Sequence, residues 1–131
     1  MCGFAGFLGS SGPASASDAI VTRMADAIRH RGPDDGGTFV DEASGLALGH
    51  RRLSIIDLSP AGHQPMISPS GRYVIAFNGE IYNFKDVRAE LDAAGRAHVW
   101  RGHSDTEVLL AAVEGWGTAA ALSRCAGMFA F

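Results

Sequence analysis

The chain has 131 residues, 47% of them hydrophobic, which is enough for one domain with a buried core. Its formal net charge of −3 gives no reason to expect a nucleic-acid or anionic-membrane partner. Two cysteines are too few for a disulfide framework, no apolar stretch is long enough to span a membrane, and no basic residue precedes Arg23 as a secretion signal would require. We therefore expect a cytoplasmic protein.

The first elements are a strand, a helix and two further strands. Residues 3–9 predict a strand that ends in a glycine- and serine-rich turn. Residues 18–30 predict a helix, because apolar residues recur at four-residue spacing until a Gly-Pro pair ends it. Short strands are predicted at 37–40 and 46–56.

The middle of the chain predicts a hairpin followed by a helix. Strands at 72–77 and 80–84 flank the pair Asn78-Gly79, the dipeptide most typical of a two-residue hairpin turn. Asn83 can cap a helix that runs to about Ala94. Residues 97–100, with the sequence AHVW, favour a short strand.

The last third predicts two helices and a strand. The sequence SDTE at 104–107 has the form of a capping box, and the helix that follows would turn Val108, Leu109, Ala112 and Val113 inward. A helix at about 118–125 leads into a strand with the sequence GMFAF. Strands in hairpins with helices between them indicate an α+β fold. The chain stops within this last strand, which predicts that the domain is incomplete.

Cys2 lies where removal of one residue would make it the amino terminus. The thiol would then share its residue with a free α-amine, whose pKa of about 7.7–8.0 allows it to accept the thiol proton. The alternative interpretation is that Cys2 is a small apolar residue at the start of a strand, since free cysteines are among the most buried residue types. The amino terminus alone favours this second interpretation.

Three other motifs also have both a structural and a chemical interpretation. An arginine in GHRRLSII at 49–56 can extend to the surface or bind a carboxylate through two hydrogen bonds. Asn78 and Gly79 can form a turn, or can offer a side-chain amide and an open backbone N–H as oxyanion donors. Asp105 can stabilise a helix start or bind an ammonium group. The five histidines lack metal-ligand spacing, so we expect no metal site.

Taken together, these stretches resemble one family. The start MCG and the motifs RHRGPDDGG, GHRRLSIIDLSPAGHQPM, FNGEIYNF, SDTEVLL and GMFAF are similar, in order and spacing, to the glutaminase domain of asparagine synthetase B-type enzymes. These enzymes are class II glutamine amidotransferases, which use an N-terminal nucleophile. The resemblance covers essentially the whole chain and makes the catalytic interpretation of Cys2 the leading one.

The resemblance implies a role for each matching residue. Cys2 would attack the side-chain amide of glutamine, with its α-amine as the base, and Asn78 and Gly79 would bind the oxyanion. Arg52 would hold the substrate carboxylate and Asp105 its ammonium group. The remaining residues of the glutamine pocket would be Leu53, Ile55, Ile56 and Glu80.

The resemblance also implies a fold and partners. The fold would be the four-layer αββα sandwich of N-terminal nucleophile hydrolases, with residues 1–131 forming an incomplete glutaminase domain. No cofactor is implied for this domain, whereas ATP and Mg would serve a C-terminal synthetase domain that these residues do not include. That domain would use the ammonia to amidate an acid acceptor, most simply aspartate, and the parent chain would be a possible homodimer.

Three other hypotheses remain beside this one. The chain could be an amidotransferase for another acceptor, such as a sugar acid, or another N-terminal nucleophile amidohydrolase. The motifs RLSI, NGE and SDTE together disfavour the second, since they describe a pocket for a free amino acid. From a different class, the chain could be a non-catalytic module that binds glutamine or docks a synthetase partner, above all if Met1 is retained.

Overall fold

The computed structural model describes residues 2–9, 13–96 and 99–131 and shows a mixed α/β architecture. The helices and strands, in chain order, are β1 (Gly3–Phe7), α1 (Ala14–Ala27), β2 (Asp35–Asp41), β3 (Leu46–Arg52), β4 (Met66–Ile67), β5 (Val74–Ile75), β6 (Asn78–Ile81), α2 (Phe84–Ala93), α3 (Asp105–Trp116), α4 (Thr118–Leu122) and β7 (Gly127–Ala130). Strands and helices alternate without a strict βαβ order, which agrees with the predicted α+β class.

The amino-terminal half is an antiparallel sheet of three strands in the order β1-β3-β2, with α1 packed against it. Val21 and Ala25 form the buried side of α1. Gly49 allows the helix to approach β3 closely, because a Cβ at this position would lie 3.1 Å from both the Ala25 Cβ and the Val21 carbonyl oxygen. The register pairs Gly3 with Arg51, so the start of β1 lies at the end of β3.

The carboxyl-terminal half contains the main apolar core. The ladders β4-β5 and β6-β7 contribute to it, as do α2, α3 and α4. Ile81, Leu91 and Leu109 are among its largest fully buried side chains. Helix α3 is buried from Asp105 to Val113, including the four residues predicted to face inward.

The first turn of α3 is polar and buried. Ser104 caps the helix as predicted, since its hydroxyl accepts the N–H of Glu107 at 3.2 Å. The second half of the predicted capping box is absent: Glu107 accepts instead the N–H groups of Arg101 at 2.8 Å and Gly102 at 3.0 Å. The buried carboxylate therefore fixes the loop that precedes the helix.

The predicted hairpin at Asn78-Gly79 is wrong. Both residues lie inside β6, where they pair with Ala130 and Phe129 of β7, and β5 pairs with β4 instead. Gly79 has φ of +154° and lies so close to the Phe129 backbone that a Cβ would overlap it. The glycine is thus required by a close strand contact rather than by a turn.

Other boundaries also differ from those predicted. Helix α1 begins at Ala14, before the predicted start, and a short 3₁₀ turn at Arg29–Arg31 follows it. Strand β3 ends at Arg52, because the next residues fold back as a loop whose carbonyl oxygens bind that arginine. Asn83 precedes α2 without capping it, since its side chain binds the backbone of residues 124 and 126. Of the strand predicted at 97–100, Ala97 and His98 lie outside the described residues, and the other two are not in a strand.

Replacement of Leu109 by alanine tests the core. Leu109 is fully buried, so Leu109→Ala should lower the free energy of unfolding by about 2–5 kcal/mol. Leu8→Ala is the matched control, because Leu8 is 74% exposed and its loss should change stability by less than about 0.5 kcal/mol. Urea denaturation followed by tryptophan fluorescence measures both, and equal effects would contradict this account of the core.

Candidate active site

One cavity of about 150 Å³ contacts the amino terminus of β1, the end of β3, strand β6 and the start of α3. The structure brings every predicted site residue to its lining: Cys2, Arg52, Leu53, Ile55, Ile56, Asn78, Gly79, Glu80 and Asp105. These residues come from four separate stretches of the chain. Their convergence therefore depends on the strand pairings and on the packing of α3.

Cys2 is half-buried at the edge of this cavity. Its Sγ accepts the N–H of Leu53 at 3.3 Å and lies 3.6 Å from the Leu53 carbonyl oxygen, so the thiol can also donate there. The Arg31 Nε donates to the Cys2 carbonyl at 3.1 Å. Backbone and side-chain contacts thus fix the residue at the end of β1 while its thiol faces the cavity.

Asn78 and Gly79 form another part of the wall. The Oδ1 of Asn78 is buried and has no hydrogen-bond partner within the described part of the chain. This oxygen is an acceptor, and the donor that an oxyanion would need is the Nδ2 group of the same side chain. Gly79 presents backbone without a side chain. The Asn78 Nδ2 group and the Gly79 backbone N–H are donors of the kind that stabilise an oxygen that gains negative charge.

Arg52 lies 7% exposed beside the cavity. Its guanidinium donates to the carbonyl oxygens of Asp57 and of Ser59, the latter at 2.9 Å, which fixes the planar group. A Cβ at Gly62 would overlap this guanidinium, so glycine leaves the space it occupies. Arg51 alternates to the other face of β3 and pairs with Asp26.

The Asp57 carboxylate stabilises the loop that follows β3, the loop that binds the Arg52 guanidinium. It accepts the N–H of Ser59 at 2.8 Å and that of His103 at 2.7 Å, which ties the Arg52 loop to the segment before α3. Burial disfavours the charged form of Asp57, but these hydrogen bonds outweigh burial and the pKa of the carboxyl lies below its usual value. The loop is therefore held by an ionised group at neutral pH.

Asp105 is the first residue of α3 and is 5% exposed. Its oxygens accept the N–H of Ile81 at 3.0 Å and its neighbour Thr106 at 2.9 Å. Burial raises the pKa of this carboxyl, the two N–H groups partly offset that rise, and nearby Glu80 adds to it. A cationic ligand beside this buried carboxyl would stabilise its ionised form.

A profile of the glutamine amidotransferase domain family matches residues 1–131. The chain belongs to this family. The family predicted from the sequence motifs is therefore confirmed.

Curated relatives of this amidotransferase domain carry related names. Asparagine synthetase (glutamine-hydrolyzing) 1 of Bacillus subtilis is 45% identical over the whole chain, and asparagine synthetase (glutamine-hydrolyzing) 2 of the same organism is 42% identical over 84% of it. Amidase chry2 of Gibberella zeae is 36% identical over the whole chain. The matches cover 20%, 14% and 20% of these three proteins, so the amidotransferase domain spans a fifth of their length or less.

The sequence motifs missed part of the lining of the amidotransferase domain. The cavity also contacts Asp57, Gln64, Phe77, Thr106 and Met128. Gln64 lies within the quoted motif GHQPM, but a buried glutamine has no sequence signal of its own. Met128 reaches the site because β7 pairs with β6, a contact that the sequence analysis did not predict.

Two further findings concern the described residues of the amidotransferase domain. They contain no cluster of three histidine, cysteine or acidic side chains arranged to hold a metal ion. In the same ranges, no helix combines the length and apolarity needed to cross a bilayer.

The two thiols of the amidotransferase domain should differ in reactivity. Burial raises the pKa of Cys125, which lowers its thiolate fraction, whereas Cys2 opens into the cavity. Limited iodoacetamide treatment at pH 7.5 should label Cys2 about tenfold faster than Cys125. Peptide mass spectrometry measures both rates, with Cys125→Ser as the matched variant and the urea-unfolded chain as the reference. Equal rates in the folded chain would contradict this assignment.

Proposed function

We propose that this amidotransferase domain hydrolyses glutamine, with Cys2 as the nucleophile. The observation that carries the proposal is the convergence of a thiol, an amide, a guanidinium and a carboxylate on one small cavity. Each group matches one part of free glutamine: the reacting carbonyl carbon, its oxygen, the α-carboxylate and the α-ammonium. The family membership supports the same substrate.

The nucleophile requires removal of Met1. The freed α-amine of Cys2 then takes the thiol proton, and the sulfur adds to the side-chain carbonyl carbon of glutamine. Negative charge gathers on the former carbonyl oxygen, where the Asn78 amide and the Gly79 N–H stabilise it. The C–N bond breaks as the α-amine returns the proton to nitrogen, and ammonia leaves a γ-glutamyl thioester. Water adds to the thioester and releases glutamate and the free thiol.

The amino-acid end of glutamine would lie between two opposite charges. Arg52 binds the α-carboxylate, since the guanidinium donates two parallel hydrogen bonds to a planar anion. Asp105 binds the α-ammonium, and the added positive charge favours its ionised form. Leu53, Ile55, Ile56 and Glu80 line the space between these contacts and the thiol. The pair of charges selects a free amino acid over an amide within a peptide.

We further propose that the ammonia serves an ATP-dependent amidation in a longer parent chain. Residues 1–131 would be the glutaminase part, with the four-layer sandwich of N-terminal nucleophile hydrolases, and a C-terminal synthetase domain would hold ATP and Mg. The names of the two Bacillus subtilis relatives favour aspartate as the acceptor. The fungal relative is named an amidase, which favours hydrolysis of a different amide as the second candidate.

The decisive experiment measures the intact mass of the purified chain before and after treatment with 6-diazo-5-oxonorleucine, an electrophilic glutamine analogue. We expect the mass to lack methionine and to rise by a single adduct on Cys2. Cys2→Ala should take no adduct, and Cys125→Ser should react as the original chain does. A folded chain without Met1 that takes no adduct, or that takes it on Cys125, would contradict the proposal.

Glutamine binding should weaken at acid pH. The pKa of Asp105 is raised by burial, so the carboxyl takes up a proton as pH falls and loses its attraction for the α-ammonium. The Kd for glutamine should therefore rise by about 10- to 100-fold as pH falls through this raised pKa. Calorimetry on Cys2→Ala measures binding without turnover.

Two variants serve as controls for this pH dependence. Asp105→Asn in the Cys2→Ala background should raise the Kd at pH 7.5 and remove the dependence. Glu80→Gln should leave it in place, because Glu80 contributes less to the raised pKa than burial does. A Kd that keeps its full pH dependence in the Asp105→Asn chain would assign the titration to another group.

A further inference from the structure

Gln64 connects the two halves of the cavity. Its side chain is almost completely buried, at 5% exposed. Oε1 accepts the N–H of Phe77 at 2.7 Å, and Nε2 donates to the hydroxyl of Thr106 at 3.3 Å. One amide therefore contacts the segment that leads into β6 and the first turn of α3.

The two partners of Gln64 are neighbours of the two groups that would bind opposite ends of the substrate. Phe77 precedes Asn78, and Thr106 follows Asp105. The Phe77 carbonyl also accepts a hydrogen bond from the Nε2 of buried His50 at 2.9 Å, so both backbone polar groups of Phe77 are paired with buried side chains. A shift of Gln64 would move the Asn78 amide relative to the Asp105 carboxylate.

A second hydrogen bond joins β6 to α3, but the substrate would compete for it. Asp105 accepts the N–H of Ile81 and would also bind the α-ammonium. The Gln64 bridge uses neither the Asn78 amide nor the Asp105 carboxylate, so substrate bound to those two groups need not displace it, although Gln64 and Thr106 also line the cavity. A buried amide is costly unless its polar atoms are paired, and here both ends are paired with groups beside the site.

We propose that Gln64 is a positioning residue that sets the separation between the oxyanion-binding amide and the ammonium-binding carboxylate. This inference rests on the proposed glutaminase function. Glutamine must reach both groups at once, so a fixed separation matches the length of its side chain. Gln64 would thus contribute to substrate choice without contacting the reacting atoms.

The test compares glutamine with glutaramate, which has the same amide and carboxylate but lacks the α-amino group. Thr106→Val removes the α3 end of the bridge and keeps the Phe77 end. We expect it to raise the KM for glutamine about tenfold, with a smaller effect on kcat. The KM for glutaramate should change less than about threefold, because no ammonium needs to be placed.

Gln64→Met removes both ends of the bridge at similar volume. It should raise the KM for glutamine to the same extent and also lower kcat for both substrates, since the Asn78 amide loses its support. Thr38→Val is the matched control on β2, outside this cavity, and should change neither parameter. Thermal unfolding of each variant confirms that the chain is folded, and Thr106→Val suffices as the test if Gln64→Met does not fold.

The outcomes separate this inference from the proposed function. Ammonia release that is absent in the original chain would contradict the glutaminase function itself. Release that is unchanged by Asn78→Ala would contradict only the oxyanion role of Asn78, because loss of one oxyanion donor should cost about 10²–10³ in kcat. Normal turnover with equal KM changes for both substrates in Thr106→Val would overturn the role of Gln64 alone. An unchanged KM for glutamine in that variant would do the same.

Discussion

The antiparallel pairing of β1 with β3 is the constraint on which the cavity depends. The register places Gly3 opposite Arg51, and this brings the Cys2 sulfur to the Leu53 backbone across 51 residues of sequence. Strand β3 directs the side chain of Arg52 toward the cavity and that of Arg51 away from it. A slip of one residue would exchange these two faces and separate the thiol from the guanidinium.

Buried polar groups carry the same constraint into the second half of the molecule. Asp57, Gln64 and Asp105 each accept backbone N–H groups from segments distant in sequence, and together they connect the loop after β3, strand β6 and the start of α3. Leaving such a group without a partner costs about 1–3 kcal/mol, so these contacts favour a single arrangement of the loops. The apolar core accounts for most of the buried surface, whereas these hydrogen bonds align the loops that line the cavity.

Local patterns in the sequence predicted most helices and strands, and the motifs predicted which residues line the cavity. Pairing between distant strands was not predictable from such patterns. Asn78-Gly79 was interpreted as a hairpin turn because the dipeptide is typical of one, whereas the approach of Phe129 decides its conformation. The role of Gln64 was not predictable for a related reason, because it depends on the two groups that the side chain contacts and not on the residue type.

The close contact between Gly79 and β7 has a consequence for the order of events during synthesis. The wall that contains Asn78 is paired only when Gly127–Ala130 has emerged from the ribosome, long after Cys2 and Arg52. Until then, the chain contains Cys2 and Arg52 but lacks the strand that pairs with Asn78 and Gly79. Of the described strands, only β7 pairs with β6, so the cavity wall at Asn78 requires β7 in addition to the strands that position Cys2 and Arg52.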